Sequence, residues 1–156
     1  MQQYYQKIKS PIGELHLVAN DKALMYLGFK NLGWDAVKKS NPIIELTKTQ
    51  LQEYFEGKRK KFDVPFSLAG TEFQNTVWNT LAKIPFGKTW SYQQMAEAVK
   101  KPAAMRAVGR TNGLNPISII LPCHRVIGKS GSLTGYAGGL PAKEFLLRLE
   151  GLTPQK

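Results

Sequence analysis

Asn115-Pro116-Ile117-Ser118-Ile119-Ile120-Leu121-Pro122-Cys123-His124-Arg125-Val126 contains the only cysteine in a chain of 156 residues. The thiol follows an apolar run, Ile117 to Leu121, that is expected to be buried. It sits between a rigid proline and a histidine, with a permanent cation one step further on. Only a thiolate attacks carbon, and an unperturbed thiol of pKa ~8.5 is mostly protonated at neutral pH. Arg125 and a base acting on the thiol proton would both favour the anion, so Cys123 reads as a candidate nucleophile. A lone cysteine is otherwise a small buried hydrophobe, and the rest of the chain decides between the two.

The net charge of +11 is unevenly placed. Residues 1–78 carry 11 Lys/Arg against 8 Asp/Glu, and residues 79–156 carry 11 against 3. The positive excess therefore travels with the cysteine, and a basic half suits a polyanion, most often a phosphate backbone. One cysteine forms no internal disulfide, no apolar run nears the ~18 residues of a membrane span, and the amino terminus has no signal pattern. A cytoplasmic protein without membrane contact is the expectation. No P-loop or dinucleotide signature is present, so a nucleotide cofactor is not indicated, and no cofactor is expected.

The first half reads as an α/β unit ending near residue 70. Tyr4–Lys9, Glu14–Ala19 and Ala23–Phe29 read as strands joined by short turns, the second alternating polar and apolar residues, which predicts a small antiparallel meander. His16 falls in a strand, with no cysteine or carboxylate at metal-ligand spacing, and reads as structural. Residues 42–57 predict a helix with Pro42 in its first turn. The basic run 58–61 reads as a solvated loop, and residues 62–70 as a connector with room for one more strand.

The second half, 71–156, reads as mainly helical. Thr71-Glu72-Phe73-Gln74 and Ser91-Tyr92-Gln93-Gln94 are capping boxes that open two helices. Lys100-Lys101-Pro102 breaks the second, and Ala103 to Arg110 starts another. Two short helices around a tight break suggest a helix-turn-helix. Ala104, Ala107 and Gly109 would let that backbone approach a duplex closely, with Arg106 projecting. Gly128-Lys129-Ser130-Gly131-Ser132 reads as a loop. Thr134-Gly135-Tyr136-Ala137-Gly138-Gly139 lets backbone N–H groups come near a ligand, and a last helix runs from Pro141 to Glu150.

Pro122-Cys123-His124-Arg125-Val126, with Asn115-Pro116 before it and Tyr136-Ala137-Gly138-Gly139 after it, resembles the O6-alkylguanine-DNA alkyltransferase family. The likeness runs from about Phe73 to Gly151. It implies DNA repair in which a damaged nucleotide is flipped out of double-stranded DNA and its alkyl group passes irreversibly to Cys123, one lesion per molecule. It implies that His124 relays the thiol proton through a water to Glu150, that Tyr92 assists the leaving guanine, and that Asn115 braces the turn before the nucleophile. It implies that Arg106 enters the stack in place of the flipped base, with Ala104, Ala107, Gly109, Arg110 and Arg125 on the DNA-binding surface. Tyr136, Ala137, Gly138 and Lys143 would belong to the base pocket, Lys143 with no role that chemistry assigns. A monomer is expected. The zinc cysteines of some members are absent, so no metal is expected. Ala137 replaces a serine of some members, and Met105 and Arg110 stand where relatives are often small. Two other readings remain, a sequence-specific DNA-binding regulator and a cysteine hydrolase with multiple turnover.

Overall fold

The computed structural model describes residues 1–129, 131 and 134–154. Ser130 and Ser132 of the expected loop lie outside the described residues, as do Gln155 and Lys156 at the end of the second expected domain. The chain forms two compact units, Met1–Leu68 and Ala69–Lys156.

In the first unit β1 (Tyr4–Ser10), β2 (Gly13–Ala19) and β3 (Leu24–Gly28) form an antiparallel sheet in that order. The hairpin closes with Ser10 opposite Gly13, whose φ of 108° a side chain would oppose. One helix, α1 (Pro42–Phe55), packs on the sheet. Its N-cap Asn41 accepts from the Ile44 N–H and donates to the Asn20 carbonyl at 3.0 Å, which ties the helix start to the β2–β3 turn. Leu15, Leu17, Leu24, Leu27, Ile44, Leu51 and Tyr54 fill the core between them. Residues 62–70 supply no further strand. A single bridge joins Phe66 to Leu24, because Pro65 has no N–H to extend the pairing.

In the second unit α2 (Glu72–Leu81) and α3 (Tyr92–Ala98) open on their capping boxes, Thr71 with Gln74 and Ser91 with Gln94. Then come α4 (Met105–Gly113), a 3₁₀ turn (Cys123–Arg125) and α5 (Leu140–Leu149). The Trp78 indole N–H donates to the Thr111 carbonyl at 2.8 Å and fastens α2 to α4. The helix carrying Arg106 begins at Met105 rather than Ala103. Lys100 turns the chain with a φ of 62°, and Ala104 takes the N-cap with no side-chain oxygen to offer. Two short strands, β4 (Trp90–Ser91) and β5 (Val126–Ile127), pair in parallel, Trp90 with Val126 and Ser91 with Ile127. This pairing sets the end of the cysteine turn beside the start of α3, and it organises everything below. No helix among the described residues is long and apolar enough to cross a membrane.

Candidate active site

The apolar run before the cysteine is buried, but it is a turn. Ile119 takes a φ of 72°, a strained value for a β-branched residue. Asn115 holds the turn: its amide donates to the Leu121 carbonyl at 2.7 Å, and its oxygen accepts from the Ile117 N–H at 2.9 Å. Cys123 then enters a 3₁₀ turn rather than extended chain, with the Arg125 N–H closing on the Pro122 carbonyl.

The thiol is 4% exposed. Burial pushes it up to about 11, against the pull of the Asn115 amide and the Lys143 charge. The resting cysteine is therefore a neutral thiol, not the anion expected from its neighbours in sequence. The expected helper, Arg125, faces elsewhere. It is 7% exposed, its Nε and Nη2 donate to Glu150 Oε1 and Oε2 at 2.8 and 3.0 Å, and its Nη1 donates to the Ile84 carbonyl at 2.6 Å. With every arm of the guanidinium engaged inside the protein, Arg125 is not on a DNA-facing surface. A buried guanidinium needs its counter-charge and its acceptors close by.

Glu150 takes the C-cap of α5, where its carboxylate also meets His124. The distance from His124 Nε2 to Glu150 Oε2 is 2.8 Å. Burial alone would raise this carboxyl. The His124 and Arg125 hydrogen bonds outweigh it and hold Glu150 down at about 2. An ionised carboxylate only accepts, so Nε2 carries the imidazole proton. Burial in turn lowers His124, against the pull of Glu150, and keeps the ring neutral. Nδ1 is then a free lone pair, and it has no hydrogen-bond partner among the described residues. The ring meets Tyr136 edge to face, centroids 6.5 Å apart.

Lys143 is fully buried, one turn into α5, whose N-cap Gly139 has a φ of 92°. Its Nζ donates to the Val126 carbonyl at 2.6 Å and reaches Thr134 Oγ1 at 3.3 Å. Thr134 Oγ1 lies 2.7 Å from the Tyr92 hydroxyl. Sequence reasoning gave Thr134 no role, although it opens the glycine-rich stretch.

Tyr92 lines a groove of about 600 Å³ with Gln93, Met105, Arg106, Gly109 and Lys129. Cys123 is not among its lining residues. Gly109 of α4 faces the Tyr92 ring, where an added Cβ would lie 3.5 Å from Cδ1, an ordinary contact. Met105, Arg106 and Arg110 are exposed, Ala104 and Ala107 half-buried. Ala137 is exposed and Gly138 half-buried. The fold thus groups Cys123, His124, Glu150, Asn115 and Lys143 inside, sets Tyr92, Arg106 and Gly109 along the groove, and moves Arg125 to the inner group.

The model of the 6-O-methylguanine DNA methyltransferase DNA binding domain matches residues 72–152, and that of the ribonuclease-like domain of the same methyltransferase matches residues 3–68. A methylated-DNA–protein-cysteine methyltransferase of Methanosarcina barkeri is 48% identical over 153 residues, 94% of this chain and 96% of that one. The crystal structure of a Mycobacterium tuberculosis O6-methylguanine methyltransferase superposes with a TM-score of 0.88 at 42% identity, covering 99% of this chain and 97% of that one. A structure of the Mycobacterium tuberculosis OGT in complex with DNA gives 0.87 at 45% identity, covering 94% and 92%. By model, by relatives and by fold, this chain belongs to the 6-O-methylguanine DNA methyltransferase family.

Proposed function

We propose that this protein repairs duplex DNA by moving the alkyl group from O6 of guanine, or O4 of thymine, onto Cys123, once per molecule. The observation that carries the reading is His124, a buried neutral base anchored through Nε2, whose Nδ1 has no partner among the described residues. The thiol proton passes to Nδ1 through a water, and Glu150 steadies the imidazolium that forms. The thiolate attacks the alkyl carbon opposite O6, the C–O bond breaks, and its electron pair leaves with the base. Tyr92 assists that departure. The product is a thioether, which water does not cleave, so the protein is spent.

A stacked base hides its alkyl carbon, so the nucleotide is extruded first, at least cost where damage has weakened pairing. In this reading α3 and α4 act as the helix-turn-helix. Ala104, Ala107 and Gly109 admit the backbone, Arg110 meets phosphate, and Arg106 fills the space of the extruded base. Tyr136, Ala137 and Gly138 hold that base, with the Ala137 N–H donating to its oxygen. The basic second half supports DNA as the partner.

The test is transfer of labelled methyl from O6-methylguanine in duplex DNA. One equivalent of label on Cys123 is expected, and none in Cys123→Ala, which still binds the DNA. Label on the variant, or more than one turnover per molecule, would refute the proposal.

A further inference from the structure

Lys143 and Thr134 do nothing in the steps above, yet with Tyr92 they form a continuous hydrogen-bonded line from the interior to the groove. Lys143 Nζ reaches Thr134 Oγ1 at 3.3 Å, Thr134 Oγ1 lies 2.7 Å from Tyr92 Oη, and Tyr92 lines the groove. An ammonium only donates. When Thr134 accepts from Lys143 and passes its own proton towards Tyr92, the phenolic proton is left to point into the groove.

The charge on Lys143 needs explaining. Burying an ammonium is costly unless it is paired, and the Lys143 hydrogen-bond acceptors are two carbonyls and a hydroxyl, all neutral. Among the described residues Lys143 makes no ion pair, whereas Arg125 has Glu150. A neutral donor would bridge Val126 and Thr134 equally well. Burial brings Lys143 down to about 8, and the one nearby negative charge that supports its proton is Cys123 once ionised. That support ends during the reaction. As the S–C bond forms, the sulfur loses its charge, and the charge reappears on the departing base.

We infer that Lys143, Thr134 and Tyr92 are a proton wire that neutralises the leaving base, a conclusion that rests on the alkyl-transfer reading above. Tyr92 Oη gives its proton to the guanine anion as the C–O6 bond breaks. Thr134 returns a proton to Tyr92, and the Lys143 ammonium returns one to Thr134 and ends as a neutral amine, which solvent reprotonates. Each oxygen finishes with the proton count it began with. Thr134 is thus a positioning residue that acts through Tyr92.

The experiment is a cycle of single-turnover methyl transfer from labelled DNA, with alkylation of Cys123 by iodoacetamide at pH 9 as the control. Iodide leaves without a proton, so the wire is irrelevant to it. Thr134→Val is expected to slow methyl transfer about tenfold while leaving the iodoacetamide rate unchanged. Thr134→Ser, which keeps the hydroxyl, restores the rate to within about threefold. In a Tyr92→Phe background Thr134→Val costs nothing further, because the end of the wire is already missing. Thr134→Ala serves if the valine variant does not fold. Equal losses from Thr134→Val with and without Tyr92, or parallel losses on iodoacetamide, overturn the wire while the repair reading stands. A wild-type protein that transfers no label ends both.

Discussion

Two groups of polar side chains flank the cysteine turn, and they are built differently. On the inner side Glu150 takes His124 at 2.8 Å and both arms of Arg125 at 2.8 and 3.0 Å, with all three residues buried. On the groove side Lys143, Thr134 and Tyr92 are joined by neutral acceptors over 3.3 and 2.7 Å, and the line ends in open space. The inner group locks one tautomer of one ring. A base must not wander, and the carboxylate that holds His124 is itself fixed by two charge-assisted bonds from Arg125. The groove group must let protons shift, and a chain of hydroxyls with no resident anion allows that. In the proposed reaction, a base that is fixed and an acid that is adjustable suit a protein that reacts once and whose thiol stays neutral until then.

Breaking the inner group at the base itself gives the largest expected effect. His124→Ala should cut the single-turnover rate by about 10² to 10⁴, the usual worth of a positioned general base. Duplex binding should be retained, so a gel-shift assay beside the transfer assay separates the two. A rate within threefold of wild type would mean that the thiol proton leaves by another route.

Glu150→Gln attacks the anchor. The variant keeps the shape but leaves the Arg125 guanidinium buried beside a neutral amide. Removing one partner of a buried pair costs about 3–5 kcal/mol, read from denaturant unfolding. The pH dependence follows the same contacts. Glu150 is held at about 2 when folded, against an ordinary 4.5, so its contribution is complete above pH 4.5 and is lost as pH falls through about 2. His124 is lowered on folding, so acid below its ordinary 6.5 also favours the unfolded chain. Wild-type stability should therefore fall steadily on acidification, and the Glu150→Gln curve should be flatter below pH 4.5.

Much of this was legible in the sequence, and the unreadable part has a common cause. Both capping boxes formed at Thr71 and Ser91, because each is a contact between residues three apart. The meander was legible from alternation and turns. The β4–β5 pair was not, since two strands of two residues carry no periodicity and meet across 36 residues of sequence. Arg125 misled for the same reason. Beside Cys123 in sequence it looked like the thiol's cation. Its partners are Glu150, 25 residues on, and the Ile84 carbonyl, 41 residues back. Neutral at rest, the thiol depends on burial, which local neighbours do not report. Thr134 could have been noticed only as a hydroxyl two residues before Tyr136.

The resting thiol sharpens the contrast in a smaller way. With Cys123 at about 11, its alkylation by iodoacetamide should be slow at neutral pH and climb about tenfold per pH unit towards 11, past the point where an ordinary thiol levels off. Below about pH 8, where Lys143 keeps its proton, Lys143→Met should lower the rate further, because that charge favours the thiolate. A profile that levels off near 8.5 would show that the folded protein stabilises the anion at rest, and the inner group would then be structural only.

At the rim of the groove the smallest effect is expected, and it divides the two groups by substrate. Arg106 is exposed and lines the groove, apart from the buried lattice around Glu150. Arg106→Ala should slow repair of duplex DNA about tenfold, because nothing then fills the space of the extruded base. Reaction with free O6-methylguanine base should be unchanged, because no nucleotide has to be extruded and no backbone met. Measured side by side, the two substrates separate access from chemistry. Equal losses on both would place Arg106 with the chemistry, and the division between a fixed interior and an adaptable groove would fail at its outer edge.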